Sequence, residues 1–377
     1  MNTAAGSTTI EVAVNLLWCV PGDVGGSEEY LVRQLVGLAA QPSNIAPTLY
    51  CLPSFVEAHP ELEQLFPMVG AKTDGKDRKR RILAEHTWLA RVARGADVVH
   101  HGGGTTPLVG GRPIVLTIHD LQYETYPEYT SAAKLRYLRT VMPKSVARAS
   151  VIAVPTEYVR STVIDRFEVD PERVVVVRHG IEPDIGRGAR SEEELRDAYG
   201  LGTGRVLVLP AITHPHKGHE FLLDVMATHW TDPDLRLVLL GGRGLADDAV
   251  ERAIVEHKLS DRVVRPGRVS DDDRDGLIRL ADALVFPSQY EGFGAPVVEA
   301  MALGTPVVCS DQAALAEVVA HAGLVLPLDR DAWADALDRV DTDRDAMRRA
   351  GELRSESFTA AESGAGIAHA YRLAAGR

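Results

Sequence analysis

The chain has 377 residues, 45% hydrophobic and 25% charged, a mix that excludes wholesale disorder and fibres and is too long for one ordinary core. Its formal net charge is −12, yet residues 1–180 carry 19 basic and 19 acidic side chains, so the whole acidic excess falls after residue 180. Such a balance excludes general nucleic-acid binding, which needs a basic footprint.

In chain order, residues 11–18 read as a strand, followed by a Gly-rich loop. The apolar start at residues 12–20 has no basic leader and is too short for a membrane span, which needs ~20 residues. Residues 27–40 read as a helix, with Ser27 as cap and Leu31, Leu35 and Leu38 at helical spacing. Further strands are expected near 47–52, 97–101, 113–118, 150–155 and 173–178, with helices near 79–94, 131–149 and 157–167. A Gly-rich, charged stretch at about 180–204 reads as a link between domains with a short helix inside. A second series follows, with strands near 205–210, 235–240, 262–265, 282–286, 305–309 and 323–326 and helices between. Residues 358–374 read as a final helix. Alternation of this kind implies an α/β chain of two doubly wound parallel-sheet domains, with ligands at the carboxyl ends of the strands. The expected division is 1–180 and 181–357, with the tail, 358–377, returning to the first domain. Cys19, Cys51 and Cys309 are too few and too scattered for a disulfide scaffold or a Cys-rich zinc site, as in a reducing cytoplasm.

The densest chemistry lies at 282–311, DALVFPSQYEGFGAPVVEAMALGTPVVCSD. A buried strand ends at Pro287-Ser288, a loop carries Glu291, Gly292, Phe293 and Gly294, and a helix starts near Ala295 with Pro296 in its first turn. Free N–H groups at that helix start make an anion site. Glu291 and Glu299, eight residues apart, suit polyhydroxyl ligands, because an ionised carboxylate only accepts hydrogen bonds. The plain alternative is a βα turn with a solvated Glu at either end.

This segment resembles the signature of the retaining GT-B glycosyltransferases, the large family that includes sucrose synthases and bacterial mannosyl- and glucosyltransferases. The family pattern places one Glu, seven residues and a second Glu inside PS-x-x-EG-F-G-x-P-x-x-EA-M-A-x-G-x-P-V, and residues 287–307 match nearly every fixed position. Gly22, Gly25 and Gly26 resemble the N-terminal Gly-rich loop that approaches donor phosphate and acceptor. His119-Asp120 resemble the strand-end pair at the donor sugar. Lys217-Gly218 resemble the KG whose Lys neutralises the donor diphosphate. Gly241-Gly242 and Gly267-Arg268-Val269 resemble the turns that flank the nucleobase.

The resemblance implies a GT-B fold of two Rossmann-like domains, acceptor in the first and nucleotide-sugar donor in the second. It implies transfer with retention by front-face attack, with Lys217 and the Gly294-Ala295 helix start on the leaving diphosphate. Glu299 would hold ribose, Glu291 the sugar hydroxyls, and His119 the sugar near its reacting face. Many members carry an Arg six residues before the Lys; Ala211 stands there, leaving His214 and His216 as candidate diphosphate partners. The THPHKG variant tilts the donor toward GDP-mannose, with a UDP-sugar as the alternative. No cofactor is implied. Of the D-x-D strings at 232–234, 271–273, 329–331, 341–343 and 343–345, the first precedes a strand and the others sit in or near helix starts, so no metal site is expected.

Two basic stretches, 76–81 (KDRKRR) and 131–150 with Lys134, Arg136, Arg139, Lys144 and Arg148, read either as a solvated face or as contact with an anionic membrane or a lipid-linked acceptor. That would place the enzyme in the cytoplasm, at the inner face of the plasma membrane. The rival readings are a sugar-nucleotide epimerase, a phosphorylase, for which no pyridoxal Lys stands out, and a dinucleotide-dependent oxidoreductase, whose G-x-G-x-x-G is missing after the first strand.

Overall fold

The computed structural model describes residues 9–110, 113–182 and 184–377. Two sheets organise it. The first contains β1 Ile10–Asn15, β2 Ile45–Cys51, β3 Met68–Gly70, β4 Val98–His101, β5 Ile114–Thr117, β6 Val151–Val154 and β7 Val174–Val176, in the order β3-β2-β1-β4-β5-β6-β7. The second contains β8 Val206–Pro210, β9 Arg236–Leu240, β10 Val263–Gly267, β11 Ala283–Phe286, β12 Val307–Ser310 and β13 Leu324–Leu326, in the order β10-β9-β8-β11-β12-β13. Every pairing among the described residues is parallel. Near-continuous apolar runs such as Val206–Leu209 and Ala283–Phe286 are buried throughout, as strands covered by helices on both faces must be. Each sheet has the doubly wound, Rossmann-like order expected from the alternation of strands and helices.

The chain divides into two compact units: residues up to Gly180 with Thr359–Arg377, and Ile181–Phe358. Within the first, the C-terminal helix Ala360–Ala375 lies against the helix Gly26–Ala39. Small residues permit this: a Cβ on Gly37 would stand 1.6 Å from the Ala360 carbonyl oxygen. Tyr371 anchors the helix through its hydroxyl, 2.8 Å from His100 Nδ1. Phe358 falls to the second unit, one residue later than the sequence division, because its ring packs 5.5 Å from Phe293 and its carbonyl accepts the Ile181 N–H. The stretch read as a link is part of that unit too. Its helix Glu192–Tyr199 starts with a capping box, Ser191 with Glu194, and buries Leu195.

Two other expectations change. Strand β3 was not foreseen; it is three residues long with two of them exposed, too short for a period. The helix expected at 79–94 breaks into an α-helix Arg78–Ala84, a π-turn Glu85–Leu89 and shorter pieces. There His86 Nδ1 donates to the Ile82 carbonyl at 2.8 Å and Thr87 Oγ1 to that of Leu83 at 2.7 Å, so side chains compete for the helix's own acceptors.

In both sheets the strand order reverses once, at β1/β4 and at β8/β11. Ligands of open parallel sheets bind beyond the carboxyl ends at such points.

Candidate active site

In the second unit the reversal brings together the loops that follow β8 and β11. The β8 loop ends in a 3₁₀ turn, Pro215–Lys217, and the β11 loop leads into the helix Ala295–Ala302. Gly218 makes their close approach possible: it sits at φ 73°, and a Cβ there would stand 2.1 Å from the Pro287 carbonyl oxygen. The Gln289 N–H donates to the His216 carbonyl at 2.7 Å, zipping the loops together.

The result is an ion pair at the reversal point. Lys217 Nζ lies 2.6 Å from Glu291 Oε1, with both side chains mostly buried. The same oxygen accepts the Ser288 hydroxyl at 2.6 Å. Ser288 is fully buried, and its single proton goes to the carboxylate rather than to the His216 carbonyl at 3.1 Å. Ser288 was missed as a site residue, although a Ser three residues before a loop Glu is a readable signal. Gly294 caps the helix in the left-handed region with Pro296 in the first turn, so the N–H of Ala295 stands at the helix start beside the Glu291 loop.

The other expected residues are positioned as follows. Glu299 is buried one turn into that helix. Phe293 is buried with its ring on Phe358, which makes the side chain part of the core. Gly242 lies against the β8 loop, accepting the Thr213 N–H at 3.3 Å, and the Gly241 N–H donates to Gly267 at 3.0 Å. Val269 is half-buried against the core two residues beyond that turn. The rings of His214 and His216 stack at 5.8 Å. Burial, then the Lys217 charge, pushes His216 down to about 3, so it is a neutral imidazole at physiological pH in the ligand-free protein.

A second network fixes the β8 loop from behind. Thr213 Oγ1 donates to the buried Asp247 at 3.0 Å and accepts the Gly244 N–H at 2.7 Å, while Arg243 and Arg265 pair with the same carboxylate. Two of the D-x-D aspartates make ion pairs: Asp273 with Arg190, and Asp341, in the helix Ala336–Ser355, with Arg205 and Arg344.

In the first unit the reversal at β1/β4 gathers an amide and histidines beside the buried Glu85, which hydrogen-bonds Asn15 and whose pKa burial raises. Asn15 Nδ2 lies 3.1 Å from His101 Nδ1 at the ends of the two strands. His119, just past β5, gives its Nε2 proton to the Gly102 carbonyl at 2.8 Å, and its ring stands 5.9 Å from that of Trp18 and 5.4 Å from that of Tyr30. Burial lowers the pKa of His119 and takes His100 and His101 to about 3. Gly25 caps the Gly26–Ala39 helix, with open space where a Cβ would stand at Gly25 and Gly26.

Of the basic stretches, Arg78 lies 4.4 Å over the Tyr137 ring, which joins the Arg78–Ala84 and Ala132–Arg148 helices on one surface. Arg81 turns inward toward Glu85, 3.9 Å away, and leaves that surface. Among the described residues no helix is long and apolar enough to cross a membrane.

Comparison with known proteins adds the following. The family model for glycosyl transferases group 1 matches residues 191–354, and that for Glycosyltransferase Family 4 matches residues 24–185. An O-antigen chain mannosyltransferase B of Escherichia coli is 30% identical over 344 residues, covering 85% of this chain and 88% of the relative. An O-antigen chain mannosyltransferase of Salmonella typhimurium is 29% identical over 252 residues, 66% of this chain and 65% of the relative. Among solved structures, Anabaena HepE in complex with UDP-glucose superposes with a TM-score of 0.75 at 20% identity, covering 96% of this chain and 98% of that one, a likeness of fold.

Proposed function

Since the chain belongs to the group 1 and Family 4 glycosyltransferases of bacterial type, we propose that it transfers mannose from GDP-mannose, with retention, to a glycan or lipid-linked acceptor. The observation that carries the reading is the Lys217–Glu291 pair at the β8/β11 reversal, beside a helix start. The choice of mannose is supported by the relatives' names, both O-antigen mannosyltransferases.

On this reading the second unit holds the donor. Lys217 would exchange Glu291 for the leaving diphosphate, assisted by the N–H groups at Gly294-Ala295. Stabilising a leaving anion with preorganised charge is commonly the largest catalytic contribution. Glu291, still held by Ser288, would then accept the sugar hydroxyls near the oxocarbenium-like carbon, and Glu299 the ribose hydroxyls. His214 and neutral His216 would serve as hydrogen-bonding groups. The acceptor hydroxyl would attack from the face the diphosphate leaves and pass its proton toward it, with no metal and no cofactor. The first unit would hold the acceptor, and its His119 would meet the donor sugar near its reacting face, offering Nδ1 as an acceptor atom because Nε2 is spent on Gly102.

The surface joined by Arg78 and Tyr137, with Lys79, Arg80, Arg136 and Arg139, would face the anionic inner leaflet, each cation contributing about 1 kcal/mol. Leu83 on the same helix is 62% exposed and would enter the interface. Sedimentation with anionic but not neutral vesicles tests this part.

A thermal-shift panel of GDP, UDP and ADP and their sugars tests the donor. A ligand at 100 times its Kd adds about 2.7 kcal/mol of apparent stability, so the correct nucleotide stands out. A UDP response with none to GDP replaces mannose by a UDP-sugar. NMR of the product's anomeric proton tests retention; a β-linked product from an α-linked donor excludes it.

A further inference from the structure

The Gly-rich loop after β1 is held by a side-chain relay. Glu28 is the third residue of the Gly26–Ala39 helix. Its Oε2 accepts the Gly22 N–H at 2.9 Å, reaching back past the helix cap as a capping-box acid does. Its Oε1 stands 2.8 Å from His59 Nε2, and His59 Nδ1 stands 3.1 Å from Glu61 Oε1. His59 sits at the joint between two short helices, Pro53–Ala58 and Pro60–Glu63, its ring 4.6 Å from that of Phe55. Glu28 and His59 are both largely buried, at 11% and 17% side-chain exposure.

Carboxylates only accept, so both contacts are hydrogen bonds only when both ring nitrogens carry protons. We infer that His59 is a positioning residue for the Gly22–Gly26 loop: as an imidazolium it orients the Glu28 carboxylate that anchors Gly22, and transfer slows when it loses its proton. This rests on the reading that the loop serves sugar transfer.

The charges that face His59 are Glu28 from the Gly26–Ala39 helix and Glu61 from the Pro60–Glu63 helix. Burial opposes the charge on His59, but the hydrogen bonds to Glu28 and Glu61 and their charges outweigh it and raise the pKa above 6.5. Cys19, a titratable group that also feels Glu28, is held neutral by burial first and by the Glu28 charge second. Above its folded pKa the ring has one N–H for two carboxylates. A lone pair then faces a carboxylate oxygen, and the anchor at Gly22 loosens.

The test follows the Gly22 amide and the His59 ring by NMR from pH 5.5 to 9, alongside the turnover of GDP-mannose. The Gly22 amide should move with the His59 midpoint, above 6.5, and kcat should fall about three- to tenfold across that midpoint with donor KM within about twofold. His59→Gln should have low kcat and no such step, and His59→Arg should restore part of kcat without the step. A Gly22 amide blind to the His59 titration, a His59 midpoint at or below 6.5, a flat wild-type kcat profile, or a step that persists in His59→Gln would each overturn the assignment. The wild-type spectra read the relay even if the variants do not fold. Failure of the transfer reading shows separately, as no nucleotide response in the thermal-shift panel or as normal turnover in Lys217→Ala.

Discussion

The two sheets reverse their strand order in the same way, yet the reversal points differ in charge. At β8/β11 a lysine and a glutamate face each other 2.6 Å apart. At β1/β4 and the adjacent end of β5 stand Asn15, His101 and His119, both histidines kept neutral by burial, with the buried Glu85 on Asn15 and Asp120 beside His119. One winding thus supports two kinds of site. A cation beside helix N–H groups suits a departing anion, and neutral histidines among aromatic rings suit uncharged hydroxyls.

The sharpest way to break this comparison is Lys217→Ala. Removing a charge-assisted contact made mainly in the transition state should lower kcat about a hundredfold or more, with an unchanged circular-dichroism spectrum. Near-normal kcat would remove the β8 loop from catalysis. Ser288→Ala should cost less, about tenfold in kcat, because Glu291 keeps Lys217 but loses its orienting hydroxyl. Steady-state kinetics with GDP-mannose measures both.

Acid stability comes next. His100, His101 and His216 are each depressed to about 3. Unfolding lets them bind protons once the pH falls below ~6.5, so stability is full above that value and declines as pH drops toward the folded values. Each contributes up to about 1.4 kcal/mol per pH unit, and urea midpoints at pH 7, 6 and 5 should fall in that order. The same neutrality of His216 leaves donor KM without a His216-linked rise from pH 6 to 8. The smallest effect is expected from EDTA, less than twofold on turnover. A tenfold loss restored by manganese would mean that a metal, rather than Lys217 alone, meets the diphosphate.

The comparison also explains what could be read from the sequence. Central strands such as β8 and β11 are buried on both faces, so their apolar runs stand out, and the 287–307 segment carries its spacing in one continuous stretch. The Lys217–Glu291 contact joins residues 74 apart, and only the sheet reversal and Gly218 bring them together. His59 with Glu28 is of the same kind, joined across 31 residues by the packing of short helices that have no room for a period. Burial holds His216 neutral in the ligand-free protein, which spacing does not report. Phe293 belongs to a donor motif by pattern and to the core by packing.

The most direct test of the account is a calorimetric titration of GDP into the wild type, Lys217→Ala and His119→Ala. The diphosphate should depend on the second unit alone. Lys217→Ala should weaken GDP about ten- to a hundredfold, the loss of roughly 1.5–3 kcal/mol for a charge-assisted contact, while His119→Ala should stay within about twofold. Equal affinity in the wild type and Lys217→Ala, or a loss in His119→Ala as large as that in Lys217→Ala, would contradict it.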